Sequence, residues 1–300
     1  MLMLARLLTA LAHGTFFGVG SVVAASLVPV SRKASAIAVM FTGLTLANLL
    51  GVPFGAWLGQ HFGWRATFWA VTAIGVITSA VIVALVPALI PRAPLPLRAA
   101  LKAVTRGPVL LGLAMTVFGF AGVFAVFTYI QPLLIQWSGF SDRAVPPILL
   151  LFGAGLIAGN LVGGRWADRN LPGALTGSLM LLAATSLAGV WALHHSFTAV
   201  PFVALFGFAA FATVPPLQLW VLQRTQVAES LASSLNIAAF NLGNALGAWL
   251  GGWALVSRAG LAAVPATAVL LSGLGLGLAV WACSGRRNEP HGALGTGPAF

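Results

Sequence analysis

The chain has 300 residues, of which 59% are hydrophobic and only 6% charged, and it carries a net charge of +11. Soluble domains carry roughly 25% charge, so this composition excludes a soluble globular protein and describes a polytopic membrane protein. The excess of positive charge reflects a shortage of carboxylates, since Asp142, Asp168, Glu229 and Glu289 are the only acids. The basic residues stand singly or in pairs between apolar stretches, a pattern that speaks against nucleic acid as a partner. The lone Cys283 excludes an intramolecular disulfide and a cysteine-built metal site.

Hydropathy predicts about nine spans in chain order. They are Leu2–Pro29, Ser35–Gln60, Thr67–Ile90, Val109–Trp137, Pro146–Trp166, Leu171–Leu193, Thr198–Gln223, Ser230–Val256 and Leu261–Cys283. The fold class expected is therefore an all-α membrane protein. One extended polar break, Pro91-Arg-Ala-Pro-Leu-Pro-Leu-Arg98 followed by Lys102 and Arg106, separates the third span from the fourth. The expected organisation is three helices over 1–90, a linker over 91–108, six helices over 109–284 and a disordered tail over 285–300.

Alternate loops differ sharply in charge. One side holds Arg32, Lys33, Arg92, Arg98, Lys102, Arg106, Arg165, Arg169, Arg224, Arg286 and Arg287, whereas the other holds Arg65, Arg143 and Arg258. The excess of lysine and arginine places the linker and C-terminus in the cytoplasm of a cell whose inner membrane the chain crosses many times.

A string occurs twice. Gly51-Val-Pro53-Phe54-Gly55-Ala56-Trp57-Leu58-Gly59 returns as Gly243-Asn244-Ala245-Leu246-Gly247-Ala248-Trp249-Leu250-Gly251, 192 residues later. That offset suits about six membrane helices with their loops, so it implies two related half-bundles. The second half begins near Val109, so its twin is expected to begin before Met1, with about three helices lacking. Glycines at i, i+4 and i+8 make a flat strip for close helix approach, and Pro53 removes a backbone hydrogen bond there and bends the helix. The strip suits either a tight contact between half-bundles or ordinary helix packing.

The segments Gly43-x7-Gly51-Val-Pro53-Phe-Gly55 and Ala47-Asn48-Leu-Leu-Gly51, leading to Gly63-Trp64-Arg65-Ala-Thr67-Phe68, resemble the drug/proton antiporter branch of the major facilitator superfamily. They are similar in particular to its sugar, nucleoside and chloramphenicol exporters. Gly164-Arg165-Trp166-Ala167-Asp168-Arg169 resembles the loop signature G-x-x-x-D-R of that family. The likeness covers residues 2 to 285 and corresponds to helices four to twelve. It implies alternating access, efflux of a small drug, sugar or nucleoside, protons as the coupled ion, a lipid bilayer around a monomer, and no cofactor or metal.

Within that frame Gly51, Pro53, Gly55, Gly164, Asp168 and Arg169 are the expected conformational motifs. Asp168 would accept hydrogen bonds from the next helix's N-terminal amides and pair with Arg165 or Arg169, forming a latch that breaks between states. Arg6 resembles an arginine of the family's fourth helix; it either reaches the interface or finds its partner in helices this chain lacks. Candidate cavity residues are Arg6, His13, Asn48, Tyr129, Gln131, Gln218, Asn236 and Asn241, with Tyr129-Ile-Gln131-Pro132 the strongest. Asn160 and Asn244, beside glycines, are expected to bond neighbouring backbone instead. His13 is either a proton relay or a packed neutral histidine. Trp57, Trp249, Phe124, Phe127 and Trp220 could stack on a flat solute, and Trp64, Trp137 and Trp191 suit interfacial anchoring. Two other readings remain open: an inserted chain that does not transport, and an intramembrane enzyme, which lacks any H-E-x-x-H motif or intramembrane aspartate pair.

Overall fold

The computed structural model describes residues 2–85, 96–225 and 228–284, all of their regular structure helical. The expected tail 285–300 and most of the polar break lie outside the described residues. The first part comprises α1 (Leu2–Ser26), α2 (Lys33–Leu46), α3 (Val52–Phe62) and α4 (Trp64–Leu85). A short helix, α5 (Leu97–Val104), follows the break and leads into α6 (Gly107–Phe127) and α7 (Ile130–Gln136). The remainder is α8 (Val145–Arg169), α9 (Leu171–Ala192), α10 (Ser196–Ala212), α11 (Val214–Arg224), α12 (Glu229–Leu255) and α13 (Ala263–Ser284).

Three expected spans are interrupted where proline enters. Proline lacks the N–H that would bond the carbonyl four residues back, and its ring crowds that carbonyl. Ahead of Pro53 the chain passes through a π-helical segment, Ala47–Gly51, between α2 and α3. Before Pro132 the helix breaks at Thr128 and Tyr129, and before Pro215 and Pro216 it breaks at Thr213.

Among the described residues eight stretches are long and apolar enough to cross a membrane. The ninth expected span, α12, has 27 residues and so reaches about 40 Å, ample for a bilayer. Its sequence carries Ser230, Ser233, Ser234, Asn236, Asn241 and Asn244, which lowers its hydropathy because one flank serves polar contacts rather than lipid. At the other extreme, α4 presents apolar side chains outward, among them Val71, Ile74, Ile77 and Val83, each more than half exposed, as a lipid-facing helix does.

Close glycine contacts hold the second half together. The ladder Gly155, Gly159 and Gly163 on α8 lies directly on the backbone of Ala204, Phe208 and Ala212 on α10. Gly243, Gly247 and Gly251 on α12 lie likewise on Val117, Ala121 and Ala125 of α6. Both ladders step four residues at a time, so in each pair a smooth strip runs along one facing ridge and backbones meet. One core cluster is drawn entirely from α6 to α13, whereas the other joins Ala34, Ile37 and Phe41 of α2 to Leu217, Trp220, Ile237 and Phe240. That second cluster binds the two parts at one end of the molecule.

Candidate functional site

Asp168, at the C-terminal end of α8, marks that end. Its Oδ1 accepts from the Ala34 amide at 2.7 Å and its Oδ2 from the Ser35 amide at 3.0 Å. These are free N-terminal amides of α2, so the carboxylate both caps the helix and meets the positive end of its dipole. The partner differs from the one expected. The next helix, α9, is capped by Asn170, whose Oδ1 accepts from Gly173 N at 3.0 Å. The oxygens of Asp168 are thus taken by backbone amides of the first part of the chain rather than by Arg165 or Arg169, and the exposed Arg169 stands apart.

The seam continues along α2 and α8. Gly164 leaves room for Ala38, whose Cβ is 2.7 Å from the place a glycine Cβ would take. Asn160 donates to Ala38 O at 2.6 Å and to Thr42 Oγ1 at 3.2 Å, the backbone bonding expected of it. Beyond these contacts Leu49, in the π-helical segment, fills a notch at Gly153. A second seam between the two parts runs where Gly18 of α1 meets Ser234 of α12.

Where the seams end, a cavity of about 630 Å³ opens between the two parts. On one side it is lined by His13 and Phe17 of α1, Phe41 and Leu44 of α2, and Asn48 and Leu49. On the other stand Phe120, Phe124 and Phe127 of α6, Phe152 of α8, Phe211 of α10, and Phe240, Asn241 and Asn244 of α12. Leu156 is the lining residue of α8 nearest Asp168 in sequence, twelve positions or about 18 Å along the helix. Capping site and cavity therefore occupy different depths of the same interface.

The polar candidates divide between cavity and packing. His13, Asn48 and Asn241 line the cavity as expected, and Asn241 also donates to Ile237 O at 2.9 Å. Asn244 joins them instead of bonding a neighbouring backbone, and its Oδ1 is buried without a hydrogen-bond partner. Gln218 and Asn236 are fully buried elsewhere. Asn236 accepts from Thr116 Oγ1 at 2.7 Å and donates to Gln218 Oε1 at 2.6 Å, while Gln218 donates to Ser233 Oγ at 2.6 Å. This chain of bonds ties α6, α11 and α12 and leaves neither amide free for a solute.

Tyr129 and Gln131 are also outside the cavity. The Tyr129 hydroxyl donates to Ala248 O at 2.9 Å and its ring covers Gly251 and Gly252, while Gln131 faces outward. Of Arg6 and Pro53 only the helical backbone is described. Gly55 accepts a bond at its carbonyl from Thr67 Oγ1 at 3.1 Å, and Gly59 also faces Thr67, so the first glycine strip meets α4 rather than the second part of the chain. At Gly51 no other helix among the described residues comes within 4 Å of where a side chain would start.

Phe124 and Phe127 do present rings to the cavity, but the three tryptophans named with them do not. Trp57 stacks on Phe54 and Trp249 on Trp253, both outward, and Trp220 is buried under Arg224 with the guanidinium 4.0 Å from its ring. Trp64 and Trp191 are largely exposed, and Trp137 stacks on His194 at 4.2 Å. The unforeseen lining residues are phenylalanines, among them Phe17, Phe41 and Phe152, and aliphatic side chains such as Leu44, Leu149 and Ile237, and composition gives no means of telling a cavity side chain from a core one.

Charge is scarce here. Among the described lining residues His13 is the single titratable group. Glu229 begins α12, at the same end of the molecule as Asp168, and Asp142 lies in the turn before α8 at the opposite end. No group of acidic, histidine and cysteine side chains among the described residues is arranged to hold a metal.

Residues 1–230 match the Major Facilitator Superfamily. The inner membrane transport protein YdhP of Escherichia coli O157:H7 is 44% identical over 275 residues, which cover 92% of this chain and 71% of that protein. A chloramphenicol resistance protein of Streptomyces lividans is 35% identical over 248 residues, 81% of this chain and 63% of that one. The crystal structure of the human organic anion transporter MFSD10 superposes with a TM-score of 0.67 at 20% identity, over 89% of this chain and 67% of that chain, a likeness of fold. With its membrane-length helices, its paired glycine ladders and these relatives, the chain is a multi-pass membrane transporter and belongs to the Major Facilitator Superfamily.

Proposed function

We propose that the chain exports a small solute, a drug, sugar or nucleoside, by alternating access in exchange for an inward-moving proton. The observation that carries this reading is the position of the cavity: it lies between the two parts of the chain, and beyond it, at one end, the bonds of Asp168 to α2 hold those parts together. With the basic loops in the cytoplasm, the Asp168 end is cytoplasmic and the arrangement faces outward. Residues 1–90 and 109–284 then act as two bodies joined by 91–108. They rock about the cavity while the bond of Asp168 to α2 breaks and re-forms. Gly164 permits the close approach this bond needs, and Gly51, Pro53 and Gly55 give the first body its bend. Such a chain works as a monomer in the bilayer and needs no cofactor. Proton exchange is supported by the likeness to drug/proton antiporters.

Inverted vesicles containing the purified chain provide the test. Under an imposed pH gradient, acid inside, they are expected to accumulate radiolabelled chloramphenicol, the compound named in the Streptomyces relative. Collapse of the gradient by a protonophore should release it. Accumulation that persists without the gradient would remove the proton from the scheme. No movement of chloramphenicol, nucleosides or sugars by a folded chain would favour the reading of an inert membrane protein.

A further inference from the structure

The cavity walls carry more information about the solute than its class of transporter does. Two stacked phenylalanine pairs flank the space, one from each part of the chain. Phe17 and Phe41 lie 5.4 Å apart at 18°, and Phe127 and Phe152 lie 4.7 Å apart at 17°. Phe120 and Phe240 meet edge to face at 4.5 Å between them in the wall. Aromatic faces attract other flat rings by offset stacking and bury large apolar areas without demanding hydrogen bonds. The polar groups are few and short: His13 and Asn48 from one side, Asn241 and Asn244 from the other. Amides and imidazole both donate and accept, so they suit an amide or hydroxyl on the solute.

Charge decides what is refused. No carboxylate lines the cavity among the described residues, and its one imidazole, of His13, carries no negative charge. A cationic solute would leave water for a wall of phenylalanine and aliphatic side chains with no counter-charge among the described residues, which membrane interiors disfavour strongly. Cation–π attraction to phenylalanine offsets little of that loss, phenylalanine being a weaker partner than tryptophan. A polyol fares poorly for a different reason: each hydroxyl set against a phenyl ring loses its hydrogen bond to water without replacement.

From these walls we infer that the cavity selects an uncharged solute built on a flat ring with one short hydrogen-bonding appendage, in preference to organic cations and to sugars. The inference rests on the export reading and specifies its site. A volume of about 630 Å³ sits within the range of pockets that enclose drug-sized ligands.

Equilibrium dialysis of the purified chain against three matched probes tests it. These are 2-naphthamide, its amidine, which is cationic at neutral pH, and the saturated decahydronaphthalene-2-carboxamide. The flat amide is expected to bind at least tenfold more tightly than either of the others. Phe127→Leu and Phe17→Leu should reduce the ratio of flat to saturated amide severalfold, a comparison made within one variant and so independent of its overall stability. Equal or tighter binding of the amidine, equal binding of the saturated amide, or no retention of 2-naphthamide overturns the inference. A chain that binds 2-naphthamide selectively but moves no solute in vesicles would sink the export reading and leave this one standing.

Discussion

At the scale of single residues, the same side-chain chemistry serves two purposes here, and position separates them. Asp168 was legible because a carboxylate followed by arginine at a helix end is a recognisable pattern; its partner helix was not, because nothing in the local sequence says which terminus lies across the interface. Asp168→Asn keeps an acceptor and loses the charge, so closure of that end should weaken by about 0.5–2 kcal/mol. Faster modification of a cysteine placed at the exposed Ser31 would report it, with Cys283 replaced by serine. Asn241 and Asn236 are five residues apart on α12, yet one lines the cavity and the other is sealed in hydrogen bonds. Asn236→Ala should orphan the buried Gln218 amide oxygen, at about 1–3 kcal/mol, while Thr116 keeps Gly112 O at 3.1 Å as its acceptor. Thermal unfolding in detergent should show this, while the outward Gln131→Ala should stay within about 0.5 kcal/mol of wild type.

At the scale of elements, the repeated glycine string folds into two different environments. A Cβ added at Gly243 would come within 2.6 Å of Val117 O, and Gly247 lies closer still to Ala121 O, whereas at Gly51 no other helix among the described residues comes within 4 Å. Gly247→Ala is therefore expected to separate α12 from α6 and destabilise the chain by about 1–3 kcal/mol. Gly51→Ala should lie within about 1 kcal/mol of wild type, since alanine is the better helix former. A pair of unfolding curves distinguishes the two, and equal losses would contradict the contacts described. Helix positions were legible from hydropathy, but breaks before Pro53, Pro132 and Pro215 divided three spans that apolar content alone makes continuous. The ladder Gly155, Gly159, Gly163 has the same spacing as the repeated string and was as visible in the sequence. It has no matching copy elsewhere in the sequence, so spacing alone does not distinguish it from ordinary small-residue packing.

At the scale of the whole molecule, Asp168 joins the two parts at one end, and the cavity lies at another depth of the same interface. A side chain larger than hydrogen at Gly164 should wedge that end apart, because Ala38 and the Ala34 carbonyl already occupy the space. Gly164→Val is expected to lengthen the distance between spin labels on Ser31→Cys and Ser230→Cys, again without Cys283; an unchanged distance would show that the seam yields elsewhere. Two related halves could be read from the repeat, but the cavity could not, since it depends on which helix faces meet after every bend. The π-helical segment Ala47–Gly51 makes this concrete. A wider turn takes up about one residue more than an α-turn, and each α-helical residue advances about 100° around the axis. The azimuth of α3 is consequently offset from that of α2 by a little over a quarter of a revolution, about 100°, an offset absent from the unbroken α12. Identical letters meet different neighbours: Gly247 lies on α6, and Gly55 on Thr67 of α4. Deleting Leu50 would cancel the offset and turn α3, with α4 carried along through the short link at Gly63, relative to α2, so one residue of length sets the compass bearing of everything that follows it.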